Sequence, residues 1–153
     1  MVSRSAAGDY LSIPELMRAA SGSYRQAIGA QLAAGGLDDL PRNGGVLVAY
    51  LANGEESTEE MIRGLGVSKQ AFSQLVDTLV LRGYVTRDVN TEDRRRMTLA
   101  LADRGSAAAE AISTATKAVD EELSRRLSAA EMAGLRRGLA VLAEMRESWK
   151  SRS

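Results

Sequence analysis

Cysteine and histidine are both absent from the 153 residues. Without thiols the chain can build no disulfide framework, no thiolate metal site and no sensor or nucleophile that works through sulfur. Without imidazole it also lacks the commonest general base and the usual ligands of zinc and iron, which leaves carboxylates, Lys, Tyr and hydroxyls for any catalysis. An enzyme is disfavoured on these grounds, and no metal or cofactor is expected. Aromatic residues are scarce at 4%, so the core must be assembled from Leu, Val, Ile, Met and Ala, a mixture suited to close helix packing. Long apolar runs are missing too: Val46–Ala52 falls far short of the roughly 20 residues that cross a bilayer. Met1 to Gly8 carries one Arg and no apolar stretch behind it, which does not read as a secretory leader. A cytoplasmic protein is expected. Finally, neither sign of charge is in excess, with 20 basic and 20 acidic residues, so there is no global electrostatic argument for nucleic acid.

What is present is an ordinary globular composition, 44% apolar and 26% charged, in a length that fits one domain with its own core. Apolar positions at Ile13, Leu16, Met17, Ala20, Tyr24, Ala27, Ile28 and Leu32 recur at steps of three and four, predicting a long first helix that ends at Gly35-Gly36. A turn-rich connection with Asp38, Asp39, Pro41 and Asn43 leads to a second, buried helix over Val46–Leu51. Gly44 and Gly45 leave its start open, since each costs roughly 1 kcal/mol inside a helix. Asn53-Gly54 stops it. Ser57-Thr58-Glu59-Glu60 then forms a capping box for a short third helix, which breaks at Gly66-Val67. Ser68 caps a fourth helix whose apolar positions are Phe72, Leu75, Val76, Leu79 and Val80.

Arg82-Gly83 closes the fourth helix, and Val85–Val89 alternates with the period of a half-buried strand. Asn90–Asp93 reads as a turn, after which Arg96–Leu101 alternates again with Met97, Leu99 and Leu101 on one face. This is a β-hairpin with a basic tip, Arg94, Arg95 and Arg96. Asp103 is expected to cap a fifth helix with Ile112, Val119, Leu123 and Leu127. A second capping box, Ser128 to Glu131, opens a sixth with Met132, Leu135, Leu139, Leu142, Met145 and Trp149 at steps of three and four. The fold class is therefore mainly α with a small β-hairpin.

Two helices joined by a tight glycine turn and followed directly by a hairpin are the parts, in order, of a winged helix-turn-helix, whose second helix enters the major groove. Ser68, Lys69, Gln70, Ser73 and Gln74 lie off the apolar face of the fourth helix and suit base edges: Gln can bond adenine at two points, Lys can donate to guanine, and Ser serves bases or phosphates. An Arg run alone is usually a solvated charge patch. At a hairpin tip beyond a helix-turn-helix it points instead to DNA.

Gly83-Tyr84-Val85-Thr86-Arg87, then Asp93-Arg94-Arg95, then Leu101-Ala102-Asp103-Arg104-Gly105, resemble the MarR-family signature. The resemblance implies one domain over 1–153, with a winged helix-turn-helix lobe over about 40–102 and dimerisation helices over about 10–34 and 103–150. It implies a homodimeric regulator of double-stranded DNA, most often a ligand-responsive repressor on a palindromic operator. Arg95 would enter the minor groove braced by Asp93, with Arg87, Arg94 and Arg96 alongside; a one-residue slip in the wing exchanges the three arginines. Leu16, Ala20, Leu135, Leu139, Leu142, Met145 and Trp149 would line the dimer seam. Tyr10, Tyr24, Arg25 and Trp149 are candidates for a pocket taking a small aromatic or anionic effector, against the plainer reading of packing or surface positions. Two departures from the family pattern stand out: Ala102 where Thr or Ser is usual, shifting the expected cap to Asp103, and Gly64 where a helix former is expected. The alternative reading is a winged-helix module that binds protein and never DNA, which the zero net charge favours.

Overall fold

The computed structural model describes residues 11–54, 57–89 and 97–150. They form α1 (Ile13–Ala34), α2 (Gly44–Ala52), α3 (Thr58–Leu65), α4 (Lys69–Leu81), β1 (Val85–Val89), β2 (Met97–Leu101), α5 (Asp103–Arg126) and α6 (Ala129–Lys150). The two strands pair antiparallel in the register Val85 to Leu101, Arg87 to Leu99 and Val89 to Met97. The chain divides into two compact units, Met1–Thr116 and Lys117–Ser153, the division falling within α5. No helix among the described residues is long and apolar enough to cross a membrane.

Local chemistry accounts for most of the boundaries. Ser12 opens α1 with its amide and its hydroxyl both donating to the Glu15 carboxylate, at 2.8 and 2.6 Å. At Ser57 and Ser68 the hydroxyl accepts from the amide three residues on, at 3.2 and 3.1 Å, which satisfies a donor that the helix itself cannot. Between them Gly66 takes φ +66°, a left-handed conformation that a side chain resists. Ser128 and Glu131 make the full reciprocal box of α6.

The first unit has a core of its own. Leu47, Val48, Met61, Leu79, Tyr84 and Val85 are essentially sealed from solvent, and Leu32, Leu37, Phe72, Val76 and Ala108 complete the cluster. Three close approaches make this packing possible. α2 begins at Gly44, where a Cβ would press on Pro41 and a methyl of Leu79 at 3.1–3.2 Å, so the two glycines start the helix and do not precede it. At Gly64 a Cβ would collide with the Tyr50 ring; the glycine seats that ring, and α3 runs through it to Leu65. At Gly105 a Cβ would lie 2.0 Å from the Tyr84 carbonyl oxygen, a backbone atom with no freedom to yield.

The start of α5 differs from the sequence expectation. The helix begins at Asp103 and Ala102 precedes it, accepting from the Ser106 amide at 2.9 Å. Asp103 is thus the first helical residue, where its charge favours the positive end of the helix dipole, and is not the cap. The Ala102 amide donates to the Tyr84 carbonyl at 3.1 Å. That bond ties the start of α5 to the backbone that leads into β1.

Candidate nucleic-acid interface

α3, the Gly66 turn and α4 form the helix-turn-helix, and β1 follows α4 after three residues. One side of α4 is committed to the core, with Phe72 5%, Val76 3% and Leu79 0% exposed. That commitment fixes the rotation of the helix. Lys69, Gln70, Ser73 and Gln74 consequently stand exposed on the other side, as their spacing predicts. Ser68, also exposed, holds the first turn together through the Ala71 amide, and the helix N-terminus it caps is a favourable place for a phosphate.

Asp77 extends the exposed stripe one turn beyond Ser73 and Gln74, and an acid facing a polyanion is unfavourable. The structure supplies a cation for it: Arg87 reaches Asp77 at 2.6 Å, with their side chains 31% and 60% exposed. The register explains this, because Arg87 opposes Leu99 and shares the hairpin face of Val85 and Leu101. Arg87 therefore pairs with Asp77 while remaining exposed. It braces β1 against α4 and offsets the charge of Asp77, a residue that sequence reasoning missed. Asp93, Arg94, Arg95 and Arg96 lie outside the described residues.

A second group missed in the sequence gathers behind α4. Tyr84, 0% exposed, donates from its phenol to Asp39 Oδ1 at 2.6 Å. Arg104 grips the same carboxylate with two nitrogens at 2.7 and 3.1 Å. It also donates to the carbonyls of Arg82 at 2.9 Å and Gly36 at 3.1 Å, and its guanidinium lies 4.5 Å from the centre of the Tyr84 ring. The Arg82 guanidinium bonds the Asp39 carbonyl. The hydrogen bond from Arg104, then that from Tyr84, hold the Asp39 carboxyl down to about 2. Burial first, and then the bond to Asp39, push the Tyr84 phenol up to about 12.

The remaining sequence candidates fall into two sets. On α1, Leu16 is 38% exposed, Ala20 and Arg25 are exposed, and Tyr24 is half-buried. On α6, Leu135, Leu139, Leu142 and Met145 are 38–44% exposed. The Trp149 side chain and Tyr10 lie outside the described residues.

Residues 39–96 match the model of the MarR family. The fold is similar to that of Streptococcus pneumoniae FabT in complex with DNA, at 20% identity over 89% of this chain and 96% of that one, TM-score 0.76. It is likewise similar to S. aureus MepR in a DNA complex, at 20% identity, 88% and 98% coverage and TM-score 0.71. S. aureus MepR bound to ethidium bromide matches at 19% identity, 90% and 98% coverage and TM-score 0.57. No curated protein sequence matches the chain.

Proposed function

We propose that this chain is a DNA-binding transcriptional regulator of the MarR kind that reads an inverted-repeat operator as a homodimeric repressor, a reading supported by the family match over residues 39–96 and by the fold it shares with FabT and MepR. It acts by binding, not by catalysis. The observation that carries the reading is α4 itself: a helix rotated by its buried Phe72, Val76 and Leu79 so that Lys69, Gln70, Ser73 and Gln74 form one polar face. Such a face set in a major groove addresses base edges, while Ser68 and the first-turn amides address a phosphate. The wing arginines, Arg94, Arg95 and Arg96, supply the minor-groove contact, with Asp93 as brace.

Dimer formation draws support from the apolar stripes of Leu16 and Ala20 on α1 and of Leu135, Leu139, Leu142 and Met145 on α6. Large apolar side chains left 38–44% exposed in a helical row are the usual mark of a protein–protein surface. Twofold symmetry then matches two half-sites one helical turn apart. Ligand response draws support from the ethidium complex of MepR, and Tyr24 and Arg25 are the residues assigned to an aromatic or anionic effector. The effector works by favouring a dimer whose reading heads no longer match the operator spacing.

The test is selection of binding sites from random duplexes, followed by salt titrations of affinity for wild type, Gln74→Ala and Arg95→Ala. An enriched inverted repeat, a loss of about tenfold or more for Gln74→Ala at one base position, and a shallower salt slope for Arg95→Ala support the reading. The zero net charge favours one competitor, a winged helix that binds protein. Weak binding with no enriched sequence gives that reading the lead.

A further inference from the structure

A helix that reads bases must be held at both position and tilt, and α4 is anchored to the core only along one side. Its 13 residues span about 20 Å at about 1.5 Å per residue. A rotation of about 5° about its C-terminal end therefore carries Lys69 and Gln70 through more than about 1.5 Å, enough to lose a hydrogen bond to a base edge. What fixes that C-terminal end is consequently part of the reading apparatus, although it touches no DNA.

We infer that Arg104 is the positioning residue of the reading head: its guanidinium ties the end of α4 to the α1–α2 connection and to the start of α5, and so sets the tilt of α4. The inference rests on the DNA-reading function proposed above. Its geometric content is a single cation joining three segments. Arg104 stands in the first turn of α5, bonds the Arg82 carbonyl at the C-cap of α4, bonds the Gly36 carbonyl after α1, and grips Asp39 between α1 and α2. A positive charge at the carbonyl end of α4 is also the sign that its dipole favours. Arg82 adds a second strut from the same C-cap to the Asp39 carbonyl.

The chemistry requires arginine. Two parallel bonds to one carboxylate, two further bonds to carbonyls and a flat face against the Tyr84 ring use the planar fork that a lysine lacks. The knot is also separable from the core. The Arg104 and Asp39 side chains remain 35% and 44% exposed, whereas the residues that hold the lobe together, Leu47, Leu79 and Tyr84 among them, are at 0%. Breaking it loosens the joint and leaves the lobe folded.

The experiment uses the full chain. Arg104→Gln, Arg104→Lys, Asp39→Asn and the double variant Asp39→Asn/Arg104→Gln are measured for operator affinity at a temperature where far-UV dichroism shows each fully folded. Losing register at one bidentate base contact lowers affinity by at least about tenfold. The expected result is that loss for Arg104→Gln, little rescue by lysine, no further loss in the double variant and an unchanged salt slope. A salt slope shallower by about one per subunit means that Arg104 contacts phosphate directly and overturns the positioning role. So does an unchanged affinity with a lowered melting temperature, which reports a stabilising contact only. A second readout needs no DNA. Because the chain has no cysteine, Ala33→Cys and Ser73→Cys allow spin labels on α1 and α4 alone, and their distance distribution should broaden or shift in Arg104→Gln. If wild type enriches no DNA sequence, the regulator reading falls while this distribution still decides whether Arg104 holds α4; an unchanged distribution overturns the inference.

Discussion

The two compact units of the chain differ in whether they enclose a core. Met1–Thr116 seals Leu47, Val48, Leu79 and Tyr84 at 0% exposure, while Ile13, Leu16 and Met17 of its α1 stay exposed; in Lys117–Ser153 no described residue is buried, and Leu135, Leu139, Val141, Leu142 and Met145 stand 38–47% exposed. The first unit gains its stability where most globular domains do, in removing apolar surface from water. The second has good helix chemistry, a full capping box at Ser128 and an ion pair from Glu122 to Arg126 at the i, i+4 spacing, but such pairs are worth only a few tenths of a kcal/mol each. A lobe that must present a fixed face to DNA needs its own core. A segment that pairs with a second copy, as proposed above, does not.

The contrast is broken most severely at Gly105. A methyl group there meets the Tyr84 carbonyl oxygen, which is held by the Ala102 amide on one side of the joint and the sealed Tyr84 ring on the other. Gly105→Ala is expected to destabilise the first unit by about 3 kcal/mol or more, as overpacking against a rigid backbone does, with the urea midpoint as the measurement. In the second unit the equivalent assault is Leu139→Glu. At 44% exposure the site accepts a carboxylate in a lone chain. In a dimer seam, however, each copy buries an unpaired charge, and the dissociation constant is expected to rise roughly a hundredfold, read by sedimentation equilibrium. A wild type that is already monomeric removes the dimer reading altogether.

The knot behind α4 titrates at both ends of the pH scale. Asp39 has its carboxyl lowered from 3.8 to about 2, so its stabilising contribution is fully present above about pH 4 and disappears as pH falls towards 2. Tyr84 is raised from 10 to about 12; its contribution is present below pH 10 and lost as pH rises through 12. Wild type should therefore lose its stability advantage over Asp39→Asn in acid, and over Tyr84→Phe in alkali, while the differences stay flat between pH 5 and 9. Melting curves taken from about pH 2 to about pH 12 check both limbs.

What could be read from the sequence was local. Ser57, Ser68 and Ser128 sit three residues before the amides they cap or the acid they engage, and the rotation of α4 follows from the spacing of Phe72, Val76 and Leu79 alone. The two strands of the hairpin follow from alternation on both sides of its turn. What could not be read depends on residues far apart in the chain that only the fold brings together. Asp39 and Arg104 are 65 positions apart, and nothing in either neighbourhood announces the other. Gly64 looked like a weakness of α3 because its reason, the Tyr50 ring, lies on α2. The pair of Arg87 with Asp77 was hidden as well, because a period of two assigns faces without saying what a face meets. The expected cap at Asp103 failed likewise, since the helix already starts at Asp103, next to an Ala102 amide bonded to the distant Tyr84 carbonyl.

The smallest effect tests the seam most finely. Gly138 lies between Leu135 and Leu139 on α6, and at 100° per residue it falls inside the row that also carries Leu142. A Cβ built there meets no atom within 4 Å in the single chain, so alanine gains helix propensity of about 1 kcal/mol with nothing to set against it. That gain should appear in full in the Leu139→Glu background, where copies do not pair. In the pairing protein a glycine within an apolar row lets a partner helix come close, and the same methyl must then intrude on the seam. Gly138→Ala is therefore expected to stabilise the unpaired chain by about 1 kcal/mol and to stabilise the pairing chain less, or to destabilise it. Equal gains in both backgrounds would place Gly138 outside the interface and move the seam towards the α1 stripe.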